Sequence, residues 1–149
     1  MKMILTTKQI SAEATRPVRH RVLWPHIEQE KDCVIDIDER EDAIHLGAFL
    51  DDQLVAVCSL FEMHSSKIED KKQYRLRAMA SLPEVRGSGA GKMIVQEALR
   101  LVEAKGMEVL WCDARKVALG FYEKLGFERI DEWYEVPKIG PHQFMYYRF

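Results

Sequence analysis

The segment from Gln73 to Lys105 changes its apolar period across a glycine-rich turn, and that change restricts the fold more than any other feature. Tyr74, Leu76, Ala78 and Ala80 alternate with Arg75, Arg77, Met79 and Ser81, a period of two that predicts a half-buried strand over 73–81. Leu82-Pro83-Glu84 stops it. Beyond Val85-Arg86-Gly87-Ser88-Gly89-Ala90-Gly91-Lys92 the period turns helical. Ile94, Ala98, Leu101 and Val102 form the predicted inner stripe of a helix over 90–105, with Gln96, Arg100 and Glu103 facing out. Gly106 stands where a left-handed C-terminal residue is expected.

The elements on either side follow from similar signals. A short strand is expected over 2–7, then a helix over 11–23 with Ser11 as N-cap and Glu13 in its first turn. Pro17 splits or kinks that helix, and Trp24-Pro25 ends it. Residues 26–42 are acidic and read as a solvated loop with one helical turn, or as a wall that attracts a cationic amine. Strands over 43–50 and 54–63 flank Asp51-Asp52-Gln53 as a hairpin. A strand over 107–112 precedes a helix over 115–125, whose predicted inner side is Val117, Ala118, Phe121, Tyr122 and Leu125 and which Gly126 ends. Strands over 127–135 and 142–149 are split by Pro137-Lys138-Ile139-Gly140-Pro141. The order β, α, β-β-β, α, β, α, β-β implies a mixed α/β fold with helices on the sheet faces.

Composition bounds the function. A chain of 149 residues, 47% apolar and 31% charged, suits one folded domain over 1–149. A formal net charge of −2 with scattered Lys and Arg offers no strong field to nucleic acid or to an anionic membrane, and neither partner is expected. No apolar run is long enough for a bilayer span or, near Met1, for a signal peptide. Cys33, Cys58 and Cys112 are odd in number and far apart, which argues against a disulfide framework or a zinc site. Thiols in a reducing, cytoplasmic compartment and no bound metal are the expectation.

Three alternating glycines at a helix mouth let backbone N–H groups approach an anion closely, and a pyrophosphate suits them. A P-loop is excluded, because its first glycine would fall at Arg86 and its hydroxyl residue at Met93. A dinucleotide fingerprint is excluded too, because its third glycine would fall at Lys92.

Arg86-x-x-Gly89-x-Gly91, with Pro83 before it, resembles the pyrophosphate loop of the GNAT superfamily of N-acetyltransferases. About thirty residues on, Ala118-Leu119-Gly120-Phe121-Tyr122-Glu123-Lys124-Leu125-Gly126-Phe127 resembles that superfamily's second signature. The resemblance implies a mixed, mostly antiparallel central sheet of six to seven strands flanked by about four helices. It implies acetyl-coenzyme A as acetyl donor and an amine as acceptor, on a small molecule or a protein, with a homodimer as one possible assembly. Backbone groups at Met79, Ala80 and Ser81 would meet the pantetheine arm. Arg86, Gly87, Ser88, Gly89, Ala90, Gly91 and Lys92 would hold the diphosphate. Tyr122 would touch the cofactor and protonate the departing thiolate, whose thiol has a pKa of about 8.5 in water. Where many members carry asparagine, seven residues before the tyrosine, this chain has Arg115, with Asp113 two before it. A phosphate contact or plain solvation is open to Arg115. Val18-Arg19-x-x-Val22-Leu23-x-Pro25, His45-Leu46-Gly47 and Ile139-Gly140-Pro141-His142 are similar to a smaller bacterial branch.

An alkylamine arrives protonated, with a pKa of about 10.4, and must lose a proton before attack. His142, His45, Asp36 and Asp38 are the candidate bases or acceptor contacts, and Arg19 is a candidate for an acceptor carboxylate. Cys112 is the candidate for a covalent route, although no base is evident beside it. A silent sensor that binds coenzyme A without turnover is the alternative from another class.

Overall fold

A computed structural model describes residues 3–149, so Lys2, the expected start of the first strand, lies outside the described residues. Two units divide the chain: one holds the residues up to Phe61 with Leu76–Leu99, the other Glu62–Arg75 with Arg100–Phe149.

The first unit is built on β1 (Leu5–Ile10), β2 (Ile44–Leu50), β3 (Gln53–Glu62) and the last six residues of β4 (Gln73–Ser81), in the order β1-β2-β3-β4. β1 and β2 pair antiparallel from Leu5↔Leu50 to Ile10↔His45. β2 and β3 form the expected hairpin, from Ile44↔Leu60 to Leu50↔Gln53. Val55 to Phe61 of β3 are all buried, the continuous pattern of a strand covered on both faces. Gly47 sits in a crowded place among side-chain ends. A Cβ there would lie 2.7 Å from Leu54 Cδ1 and 3.1 Å from Ile10 Cδ1.

Helix α1 (Ala12–Val18) is capped by Ser11, whose Oγ accepts from Ala14 N at 3.1 Å. Pro17 has no N–H to give, and after it the chain widens into a π-helical turn over Arg19–Leu23, closed by Trp24 N to Arg19 O at 3.0 Å. Of the two expected outcomes, the chain takes that of two helical pieces, which differ in pitch. Helix α2 (Ala90–Ala104) buries Ala90, Ile94, Val95 and Ala98 along its first-unit part. Val95 joins the predicted stripe, and Leu101 is only partly buried.

In the second unit β5 (Val109–Arg115) pairs in parallel with the start of β4, from Gln73↔Val109 to Arg75↔Trp111. It pairs antiparallel with β8 (Gly140–Arg148) from Val109↔Arg148 to Arg115↔His142. β8 also carries β6 (Glu128–Arg129) and β7 (Tyr134–Val136). Trp111 stacks on Phe144 with centroids 5.1 Å apart, and its indole N–H donates to Met63 O at 2.9 Å. Burying each such ring stabilises by roughly 1.5–3 kcal/mol.

The fold is therefore mixed α/β with a mostly antiparallel sheet, β4–β5 being a parallel pair. Among the described residues three α-helices stand where the resemblance implied about four, and the acidic segment is the expected loop with one helical turn, a 3₁₀ turn over Glu30–Asp32. The strand expected over 127–135 is broken: Glu132 N bonds back to Ile130 O at 2.8 Å, a tight turn between β6 and β7. Helix α3 (Leu119–Lys124) begins four residues later than expected, after a 3₁₀ turn over Lys116–Ala118. Its buried side chains are Leu119 and Tyr122, while Val117 is 87% exposed. Among the described residues no helix is long and apolar enough to cross a membrane.

Candidate functional site

In the first unit the glycine turn sits at the mouth of α2. Gly87 and Gly89 adopt φ of +89° and +92°, a region that favours glycine. A Cβ built on either would meet nothing within 4 Å, so the space beside the turn is open. Arg86, Gly87, Ser88, Gly89 and Lys92 are exposed, while Ala90 is buried and roots the helix. The first helical bond of α2 is Met93 N to Gly89 O at 2.9 Å. The N–H groups of Ala90, Gly91 and Lys92 precede it at the positive dipole end of the helix, and that of Ala90 already donates to Ser88 Oγ at 3.4 Å. Arg21 grips Glu84 in a two-pronged pair at 2.7 and 2.8 Å, which ties the start of the turn to the π-helical segment.

Immediately upstream, Ala78 has φ of +51° inside β4. A left-handed alanine costs roughly 1–2 kcal/mol and breaks the regular pleat. It stands just before Met79, Ala80 and Ser81, of which Ala80 is buried and the other two are partly buried.

Three acceptor candidates of the first unit, Arg19, Asp38 and His45, gather in one buried network. Arg19 is fully buried and donates to both Asp38 carboxylate oxygens at 2.8 and 2.9 Å, to Ser59 Oγ at 2.9 Å and to Cys33 O at 3.3 Å. His45 bonds Ser59 Oγ at 2.7 Å and Asp38 O at 2.9 Å. Burial alone would raise the Asp38 carboxyl, but bonds from Arg19 and Ile35 N–H, and the charges of Arg19 and His45, hold it below the usual carboxylate range. The solvated acidic face expected over 26–42 is thus corrected at Asp38, which turns inward to neutralise Arg19. Asp36 remains exposed.

The second unit holds Tyr122, Arg115 and His142. Tyr122 is buried on α3, packed against Phe121 at 5.1 Å and Phe127 at 5.2 Å between centroids. Arg115 ends β5 opposite His142 on β8 and caps the 3₁₀ turn that follows. His142 is buried, with Nδ1 2.8 Å from Gly140 O. Sequence reasoning did not find its neighbours. Tyr134 stacks beside His142 with centroids 6.2 Å apart and donates its phenol to Asp113, which also receives Arg75 at 2.7 Å. These partners are 21 and 38 positions from Asp113 in the chain, and no local spacing marks them. Cys112 is buried, and burial, then the Asp113 charge, pushes its thiol far up, which keeps it from acting as a thiolate. Among the described residues no group of three or more His, Cys, Asp or Glu could hold a metal ion.

Comparison with known proteins agrees with this turn and topology. The model of the acetyltransferase (GNAT) family matches residues 8–127. The chain is 36% identical over 143 residues to the uncharacterized N-acetyltransferase YitI of Bacillus subtilis, covering 96% of this chain and 95% of that protein. It is 46% identical over 46 residues to the peptidyl-lysine N-acetyltransferase YjaB of Salmonella typhimurium, 31% of this chain and 30% of that one. Among solved structures, an aminoglycoside 6'-N-acetyltransferase complexed with coenzyme A superposes with a TM-score of 0.76 at 13% identity, covering 96% of both chains. Arg86–Lys92 and the segment ending at Phe127 both fall inside the matched region, and the chain belongs to the acetyltransferase (GNAT) family, whose acetyl donor is acetyl-coenzyme A.

Proposed function

We propose that residues 1–149 act as one catalytic domain that moves an acetyl group directly from acetyl-coenzyme A to a primary amine in a ternary complex. The observation that carries this reading is the open turn at Gly87 and Gly89, with both φ values positive and the first-turn N–H groups of Gly91 and Lys92 beside it, that of Ala90 being bonded to Ser88 Oγ. That turn fits a diphosphate: Gly87, Ser88, Gly89, Ala90, Gly91 and Lys92 bring backbone donors, and Arg86 and Lys92 bring exposed charge. Backbone groups of Met79, Ala80 and Ser81, beyond the left-handed Ala78, orient the pantetheine arm, and one N–H there polarises the thioester carbonyl. Arg115, at the end of β5, is the further candidate for a phosphate contact.

The thioester supplies an activated acyl carbon and a thiolate leaving group. His142 takes the proton from the acceptor ammonium: its Nδ1 donates to Gly140 O, so the neutral ring carries its lone pair on Nε2. The neutral amine attacks the thioester carbon and forms the C–N bond, the C–S bond breaks, and Tyr122 Oη gives its proton to sulfur and is reprotonated by the second proton that the new amide nitrogen sheds. Arg19, Asp38 and His45 serve the fold in this reading, since the Arg19 Nη atoms, the Asp38 carboxylate and both His45 ring nitrogens are engaged in one buried cluster, of which only Arg19 Nε finds no partner among the described residues, whereas exposed Asp36 stays available to a cationic acceptor. The mode of action suits a cytoplasmic enzyme with a small-molecule or protein amine as acceptor, alone or as a homodimer.

The test is a panel of acceptors with acetyl-coenzyme A, read by mass spectrometry: a polyamine, an amino sugar, an aminoglycoside, and peptides with a free N-terminus or a lysine. Acetylation of one class with stoichiometric thiol release is expected. Binding of coenzyme A with no turnover on any amine would instead favour a sensor.

A further inference from the structure

Tyr134, Asp113 and Arg75 form a chain of side chains in the second unit that ends at the ring of His142. Tyr134 on β7 and His142 on β8 are direct partners in the antiparallel register. Their rings lie 6.2 Å apart at 28°. The Tyr134 phenol donates to Asp113 Oδ1 on β5. Asp113 Oδ2 receives Arg75 Nη2 at 2.7 Å, and Arg75 in turn lies over the Trp111 ring at 4.9 Å. Lys67 Nζ stands 3.8 Å from the centre of the Tyr134 ring. The phenol is therefore anchored at its oxygen, and the ring is held by a cation and by His142.

Tyr134 is not itself a base. Burial, then the bond to Asp113 and that group's charge, raises its phenol far above the usual value, so it remains a donor. His142 is fixed in two ways. Gly140 O selects the Nδ1–H tautomer, and the Tyr134 face sets the ring plane. A base held in one tautomer and one plane loses less entropy on reaching the transition state.

We infer that Tyr134, anchored by Asp113 and Arg75, is a positioning residue that holds His142 Nε2 in line for the acceptor proton; this rests on the proposed role of His142 as base. Tyr134→Phe keeps the ring and removes only the Asp113 bond. In the full chain it is expected to leave coenzyme A affinity unchanged and to lower kcat about tenfold, with little change in KM, using the amine that the panel identifies. His142→Ala is expected to lower kcat about 10²-fold. The double variant is expected to be no slower than His142→Ala, because the two residues act as one unit. Long-range proton–nitrogen NMR of the ligand-free protein supplies a readout independent of the acceptor. His142 is expected to keep the Nδ1–H tautomer that Gly140 O selects in both proteins, with one sharp set of ring signals in the wild type and shifted or broadened ones in Tyr134→Phe, where the ring plane is no longer fixed. A wild-type rate and unchanged ring signals in Tyr134→Phe, with His142→Ala slow, would overturn the positioning role alone. Multiplied losses in the double variant would also overturn it. A wild-type rate in His142→Ala would remove the base, and the positioning role with it.

Discussion

Gly89 separates fold from ligand binding, because its two costs have different origins. A Cβ placed there meets no atom within 4 Å, so alanine brings the free protein no clash to relieve. What remains is the torsional cost of φ +92°, roughly 1–2 kcal/mol for any residue with a Cβ. For a chain of this size that lowers Tm by about 2–8 °C. The open space is also where the proposed diphosphate lies. Losing one hydrogen bond to a charged oxygen there costs about 1.5–3 kcal/mol, which raises Kd about 10–150-fold in Gly89→Ala. Gly89→Glu adds a carboxylate against phosphate, a repulsion of about 4 kcal/mol for unit charges 4 Å apart at an effective dielectric constant of 20. Weakening in Gly89→Glu therefore exceeds about 10³-fold, while the fold survives. Calorimetric titration with coenzyme A, paired with a thermal scan of the same samples, reads both quantities. A Kd within about threefold of wild type for Gly89→Glu, in a folded protein, would refute the assignment of this turn.

Tyr122→Phe keeps the packing against Phe121 and Phe127 and is expected to bind coenzyme A normally while kcat falls by about 10² or more; an unaltered rate would take Tyr122 out of the chemistry. Asp38→Asn leaves the buried Arg19 without its counter-charge, and removing one partner of such a pair costs about 3–5 kcal/mol, or about 6–20 °C in Tm. The pH dependence has a definite sign. The Asp38 carboxyl is held below its ordinary value, so its stabilisation is complete above the unfolded pKa of about 3.9 and is lost as pH falls through the lower folded one. Acid unfolding scans should show a steeper loss below about pH 4 in the wild type than in Asp38→Asn, and parallel curves would contradict the pairing.

Much of the fold was legible because it is written in short-range patterns. The hairpin of β2 and β3, the span of β4, the start of α2 and the Ser11 cap rest on periodicity, glycine and a side-chain oxygen three residues from its donor. Breaks that depend on surroundings were less visible. The π-helical turn after Pro17, the late start of α3 that leaves Val117 in solvent, and the interruption between β6 and β7 arise where packing selects among backbone paths of similar local energy.

Local signals likewise marked the turn at Arg86–Lys92 as the candidate diphosphate site, since a backbone donor set needs only glycine, a helix start and a few consecutive residues. The burial of Arg19 with Asp38, and the linking of Arg75, Asp113, Tyr134 and His142, were decided by the tertiary structure alone. Their members come from separate strands and loops, and a charge has no marker in its own neighbourhood that says whether it will meet water or a counter-charge. Sequence by itself determined where the glycine turn at the mouth of α2, the proposed anion site, would fall. Which side chains surround the candidate base depended on strand register, because register sets the distances between residues that are remote along the chain.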